Sequence, residues 1–244
     1  MIRAVVFDMD DTLVQTEQLK ALSYARAASQ LRPGEVTELE VVDAFKDLVG
    51  RPREVVVSAL MERFALRAAA QARLQELGGE TPEEAFSNLR LKDYEEMLGD
   101  AQLLKSRELP YAVRLVEVAR DVREKTGLAT MSHRDQVDRV LDVLGLSKAF
   151  DSIATREVVT HGKPDPEIYV WSAHALGVAP TECLVIEDSP SGVRAAIAAG
   201  ARVIAVPTDY SRDSFRDGAL LDRRWVVEDP KRLEETFQRA LDES

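Results

Sequence analysis

Ala4-Val5-Val6-Phe7-Asp8-Met9-Asp10-Asp11-Thr12 is a short apolar run that ends on two carboxylates held two residues apart. Its length and β-branched content are those of a buried strand. Side chains i and i+2 of an extended chain share a face, so Asp8 and Asp10 are expected side by side where the strand stops. Two anions that close need a divalent cation, a shared proton or a cationic partner. Such a pair suits metal-assisted phosphoryl transfer. The other reading of an isolated Asp-x-Asp is a solvated acidic turn.

Working outward, strand-like apolar stretches at 128–131, 152–154, 184–186, 202–206 and 225–227 alternate with helical patterns near 111–125, 136–144, 166–176, 191–199 and 230–241. That alternation implies βαβ units and a mainly parallel sheet. Between them and the first strand, residues from about 16 to 104 read only as helices (19–28, 38–49, 53–66, 68–77 and 82–98), punctuated by Pro33-Gly34, Gly50-Arg51-Pro52 and Gly78-Gly79. The expected fold is α/β: a Rossmann-like parallel-sheet core from 1–15 and 105–244, with a helical domain inserted at 16–104.

The 244 residues, 45% of them hydrophobic, are enough for an ordinary globular core. A formal net charge of −11 argues against a broad nucleic-acid or anionic-membrane surface. No run approaches the length of a membrane span, and Met1 leads straight into the first strand, so a cytoplasmic protein is expected, a monomer or weak homodimer. The single cysteine, Cys183, lies in an apolar run and is expected to be a packed thiol. His133, His161 and His174 lack a zinc-ligand spacing.

In open parallel sheets, ligands sit beyond the carboxyl ends of the strands, so the other strand ends name the partners of Asp8 and Asp10. One ends in Ser132-His133, where the Ser132 hydroxyl and the His133 N–H could donate to an anion or simply cap the next helix. Lys163, in Gly162-Lys163-Pro164-Asp165-Pro166, precedes a helix at a rigid turn; it is either a counter-charge for a phosphoryl group or an exposed turn lysine. Glu187-Asp188 ends a third strand, and adjacent carboxylates there suit Mg²⁺, a hard ion that prefers oxygen ligands, Asp188 being the better candidate.

Together, Asp8-Met9-Asp10-Asp11-Thr12, Ser132, Gly162-Lys163-Pro164-Asp165-Pro166 and Glu187-Asp188-Ser189-Pro190-Ser191-Gly192 resemble the haloacid dehalogenase superfamily, within it the β-phosphoglucomutase-like group with a helical cap. The resemblance implies that Asp8 is the nucleophile, forming an aspartyl-phosphate, and Asp10 the general acid and then base. It further implies that Ser132 and Lys163 bind phosphate, and that Asp8, the Asp10 carbonyl and Asp188, with Glu187 as a further candidate, hold Mg²⁺. The implied activity is hydrolysis of a small phosphorylated metabolite such as a sugar phosphate or a phosphoglycolate-like compound. The alternatives are a phosphomutase and a non-catalytic regulatory protein on the same fold. Departures from the family pattern are Asp11 in place of glycine, His133 in place of asparagine, Lys20 where mutase-like members carry histidine, and Tyr111 in place of glycine. In the cap, Gly50-Arg51-Pro52-Arg53-Glu54 resembles the substrate loop, with Arg53 reaching a distal anion of the substrate or else facing solvent. Lys92, or its neighbour Arg90, is a further cap candidate.

Overall fold

The computed structural model describes residues 1–49, 52–122, 125–216 and 218–243. By its contacts the chain divides into two compact units, Met1–Gln15 with Leu104–Ser244, and Thr16–Leu103.

The first unit is built on a five-stranded sheet comprising β1 (Ala4–Phe7), β2 (Lys125–Ala129), β3 (Ser152–Ala154), β4 (Cys183–Glu187) and β5 (Arg202–Ala205). The order is β3-β2-β1-β4-β5 and every pairing is parallel, which is the α/β arrangement read from the alternating pattern. β1 is central and buried along its whole length, which is why its four residues are all apolar. On one face Ala4 and Val6 pack with Ile168, Tyr169, Ala173, Val193 and Ala196 in a single apolar cluster. On the other, Phe7 meets Phe150 with ring centroids 6.2 Å apart. Register pairs Phe7 with Leu128 on one side and Ile186 on the other, so β1, β2 and β4 run out at nearly the same level.

Several stretches differ from the expected elements. β2 runs Lys125–Ala129 rather than 128–131: pairing with β1 recruits the less apolar Lys125 and Thr126, and leaves Thr130 at the strand tip. The preceding helix, expected to reach residue 125, ends at Asp121. Residues 225–227 do not form the expected strand. Asp222 accepts from Arg224 N and winds 223–225 into a 3₁₀ turn, leaving a single bridge between Ala205 and Val226.

The second unit is helical: α1 (Thr16–Leu31), α2 (Glu38–Lys46), α3 (Arg53–Arg63), α4 (Arg67–Ala72), α5 (Leu74–Leu77) and α6 (Pro82–Gly99), with α7 (Ala101–Ser106) spanning the return to the first unit. Thr37 and Glu40 form a capping box at the start of α2, and Thr81 caps α6 ahead of Pro82 at its first position. Tyr24, Phe45, Leu60, Met61 and Phe86 fill its core. The stretch 68–77, expected as one helix, breaks at Arg73, whose guanidinium donates to Gln30 O and pairs with Glu76; a tertiary contact overrides an alanine-rich propensity.

The first unit continues with α8 (Pro110–Asp121), α9 (Arg134–Leu144), α10 (Glu167–Ala175), α11 (Pro190–Ala199) and α12 (Leu233–Asp242). α9 and α11 stop at Gly145 and Gly200, both left-handed, the conformation glycine adopts without a Cβ penalty. Cys183 is buried in β4, and its thiol is pushed up to about 11 by that burial. No helix among the described residues is long and apolar enough to cross a membrane.

Candidate active site

Asp8 extends β1 by one residue, its N–H donating to Ile186 O at 2.9 Å. The chain then folds back: the N–H groups of Thr12, Leu13 and Val14 all point at Met9 O, at 3.3, 2.9 and 3.3 Å. Asp11 supplies the left-handed residue this turn needs, with φ of +57°, which accounts for aspartate as a substitute where glycine is usual. Its buried carboxylate accepts from Thr208 Oγ1 at 3.3 Å, so the added anion is tied to the loop after β5.

Asp10 is gripped from β2. Thr130 Oγ1 and Ser132 Oγ both donate to Asp10 Oδ2, at 2.8 and 2.7 Å. Ser132, expected as an anion donor, is thus brought to the acid pair. Thr130 was not singled out from sequence, because the apolar run 128–131 takes it as an interior strand residue; its position near the end of the strand adjacent to β1 was the available signal.

Lys163 enters from the loop before α10. Its buried ammonium donates to Asp8 Oδ1 at 2.6 Å, Glu187 Oε1 at 2.7 Å and Ala129 O at 3.1 Å. Burial pulls this ammonium down, but Asp8 and Glu187 outweigh it and hold the lysine well above its ordinary range. Burial pushes the Asp8 carboxyl up to about 7; Lys163 opposes that shift, while Glu187 and Asp10 add to it. Glu187 Oε1 also accepts from Tyr169 Oη at 3.0 Å, and Oε2 from Ser189 N and Oγ at 2.8 and 3.0 Å. Tyr169 was read only as part of a helix; inside α10 it has the spacing of any core residue.

Asp8, Glu187 and Asp188 are all buried, and each brings a carboxylate oxygen within 4.8 Å of the others. Three carboxylates against the single positive charge of Lys163 leave a net negative cluster of hard oxygen donors, which fits a divalent cation. These groups lie at the carboxyl ends of β1, β2 and β4, so four separate stretches of sequence meet at one place.

The exposed His133 ring lies 2.8 Å from Glu157 Oε1 through Nδ1, and the residue is the N-cap of α9. Thr155 Oγ1 and His133 hold the Glu157 carboxyl down at about 2. Arg53, Lys20, Arg90 and Lys92 belong to the helical unit. Arg53 is exposed at the first position of α3, and Gly50 and Arg51 of its loop lie outside the described residues. Lys20 pairs with Glu17 at 2.6 Å. Arg90 is buried between the rings of Tyr24 and Tyr94, 4.6 and 4.8 Å from their centroids, and Lys92 is exposed. Tyr111 is exposed at the start of α8.

Comparison with known proteins gives a consistent picture. The sequence profile of the haloacid dehalogenase-like hydrolases matches residues 2–200. Phosphorylated carbohydrates phosphatase of Thermotoga maritima is 32% identical over 201 residues, 82% of each chain. Hexitol phosphatase B of Escherichia coli is 27% identical over 94% of this chain and 91% of its own. A solved structure from Thermotoga maritima, described as a candidate beta-phosphoglucomutase, superposes with a TM-score of 0.72 at 30% identity, covering 98% of this chain and 99% of the other.

Proposed function

The chain belongs to the haloacid dehalogenase-like hydrolases, and from that membership we propose that it is a Mg²⁺-dependent phosphatase acting on a small sugar phosphate or a similar phosphorylated metabolite. The observation that carries this reading is Lys163, held at 2.6 Å from Asp8 in a buried acidic cluster whose second acid, Asp10, is oriented by two hydroxyls.

In this reading Asp8 attacks the phosphoryl group, splitting hydrolysis into two easier displacements through an aspartyl-phosphate. Asp10 protonates the leaving oxygen and then takes a proton from the attacking water; Thr130 and Ser132 fix the rotation of its carboxyl for both steps. Lys163 exchanges its contact with Asp8 for a phosphoryl oxygen, and Thr130 and Ser132 are further donors within the same site. Asp8, Asp188 and the Asp10 carbonyl would hold Mg²⁺, and Glu187 would join them by giving up one of its four hydrogen bonds. When bound, the ion supplies charge neutralisation for the transferring oxygens. His133 contributes through its main-chain N–H, and Arg53 through a distal anion on the substrate, the helical unit acting as a specificity cap over residues 16–104.

A phosphomutase is the second reading, favoured by the likeness to the beta-phosphoglucomutase-type structure. Against it stands Lys20, engaged with Glu17 where mutase-like members carry histidine. Turnover of a panel of sugar phosphates, polyol phosphates and phosphoglycolate, with and without Mg²⁺, tests the proposal. Metal-dependent phosphate release supports the phosphatase. Release that is negligible without a bisphosphate activator, with phosphate transferred between sugar positions, replaces it with the mutase.

A further inference from the structure

Lys163 has three N–H bonds, and all three are engaged, with Asp8 Oδ1, Glu187 Oε1 and Ala129 O. A phosphoryl oxygen arriving at Asp8 displaces the contact to the reacting carboxylate, which leaves Glu187 and Ala129 to aim the ammonium. Glu187 is itself held in a socket. Ser189 N and Oγ occupy Oε2, Tyr169 Oη occupies Oε1, and a Cβ at Gly192 would lie 1.5 Å from Oε1. Tyr169 is 2% exposed, and the centroid of its ring is 5.1 Å from Lys163 Nζ, within cation–π range. Its side chain therefore touches both members of the Lys163–Glu187 pair.

Resting on the phosphatase reading above, we infer that Tyr169 is a positioning residue for phosphoryl transfer: its hydroxyl pins Glu187 Oε1 and its ring backs the ammonium, so that Lys163 keeps its aim while it exchanges Asp8 for a phosphoryl oxygen. Tyr169→Phe isolates the hydroxyl, since the ring and its packing stay. A buried carboxylate oxygen that loses one of two donors turns toward the other, and the lysine moves with it.

The test is a double-mutant cycle with Glu187→Gln, read in two ways. In steady-state kinetics on a phosphate monoester, Tyr169→Phe is expected to lower kcat about tenfold and to raise KM about threefold, since Lys163 holds the phosphoryl group both when it binds and while it is transferred. In the Glu187→Gln background the same change is expected to add less than about twofold, because its route of action is already lost. Calorimetric titration of inorganic phosphate into each protein in Mg²⁺ is expected to show the same non-additive pattern in affinity. An unchanged kcat and phosphate affinity in Tyr169→Phe, or losses that multiply in full in the double variant, overturn the inference. A lowered melting temperature with unaltered phosphate binding also overturns it, since that is the behaviour of a packing residue. If the parent protein releases no phosphate from any ester yet shows the non-additive binding pattern, the phosphatase reading falls and the role of Tyr169 in aiming Lys163 stands.

Discussion

Asp10 Oδ2 is shared by Thr130 and Ser132, and the two hydroxyls differ in setting: Thr130 is fully buried at the tip of β2, while Ser132 sits further along the loop. Hydrogen bonds to charged groups contribute about 1.5–3 kcal/mol, and burial favours the upper end. Thr130→Val is therefore expected to reduce kcat by roughly ten- to a hundredfold and Ser132→Ala by less, measured on one sugar phosphate at saturating Mg²⁺. A larger loss for Ser132→Ala would reverse the ranking of these two groups. A second residue-level expectation concerns Glu157, held down at about 2 by Thr155 and His133 against an ordinary value of 4.5. Because its folded value lies below the unfolded one, the stability it contributes is complete above pH 4.5 and is lost as pH falls through about 2. NMR titration of the Glu157 carboxyl should find its midpoint near 2, rising in His133→Ala; a midpoint near 4.5 in the parent protein would mean that the exposed contact does not hold in solution.

At the scale of elements, the turn from β4 into α11 combines two demands on one short stretch. Ser189 caps the helix through Gly192 N while serving Glu187 Oε2, and Gly192 leaves room for the same carboxylate. Gly192→Ala drives a methyl group into a buried charged group, a clash expected to cost about 1–3 kcal/mol in stability and to displace Glu187. Urea denaturation and kcat should fall together; a stable, fully active variant would show that the carboxylate has somewhere else to go. Much of this arrangement was legible in the sequence, because apolar runs ending in Asp8 and in Glu187-Asp188 announce both the strands and the acids at their tips. The exact span of β2 was not, since pairing with β1 rather than local hydrophobicity sets its ends and thereby places Thr130. Nor was the role of Tyr169, whose contact with Glu187 depends on how α10 packs against the sheet. The break at Arg73 escaped detection for the same kind of reason, its cause being a carbonyl on α1 more than forty residues away.

For the molecule as a whole, the cluster of Asp8, Glu187 and Asp188 stores like-charge repulsion in the core of the first unit, and a bound cation relieves it. Mg²⁺ is thus expected to raise thermal stability, by about 2.7 kcal/mol at a hundredfold excess over its dissociation constant, and Asp188→Ala to remove most of the rise. A melting curve that ignores Mg²⁺ in the parent protein, or one that responds equally in Asp188→Ala, would count against the metal assignment. In this reading, catalysis passes through an acyl phosphate on Asp8. Acid quench of the enzyme during turnover of a sugar phosphate with Mg²⁺, reduction with borohydride and peptide mass spectrometry reads this directly, since an acyl phosphate is reduced to homoserine. Homoserine is expected at position 8, and none in Asp8→Asn, which should also be folded and inactive. Steady phosphate release with residue 8 unmodified, or sustained turnover by Asp8→Asn, would contradict it.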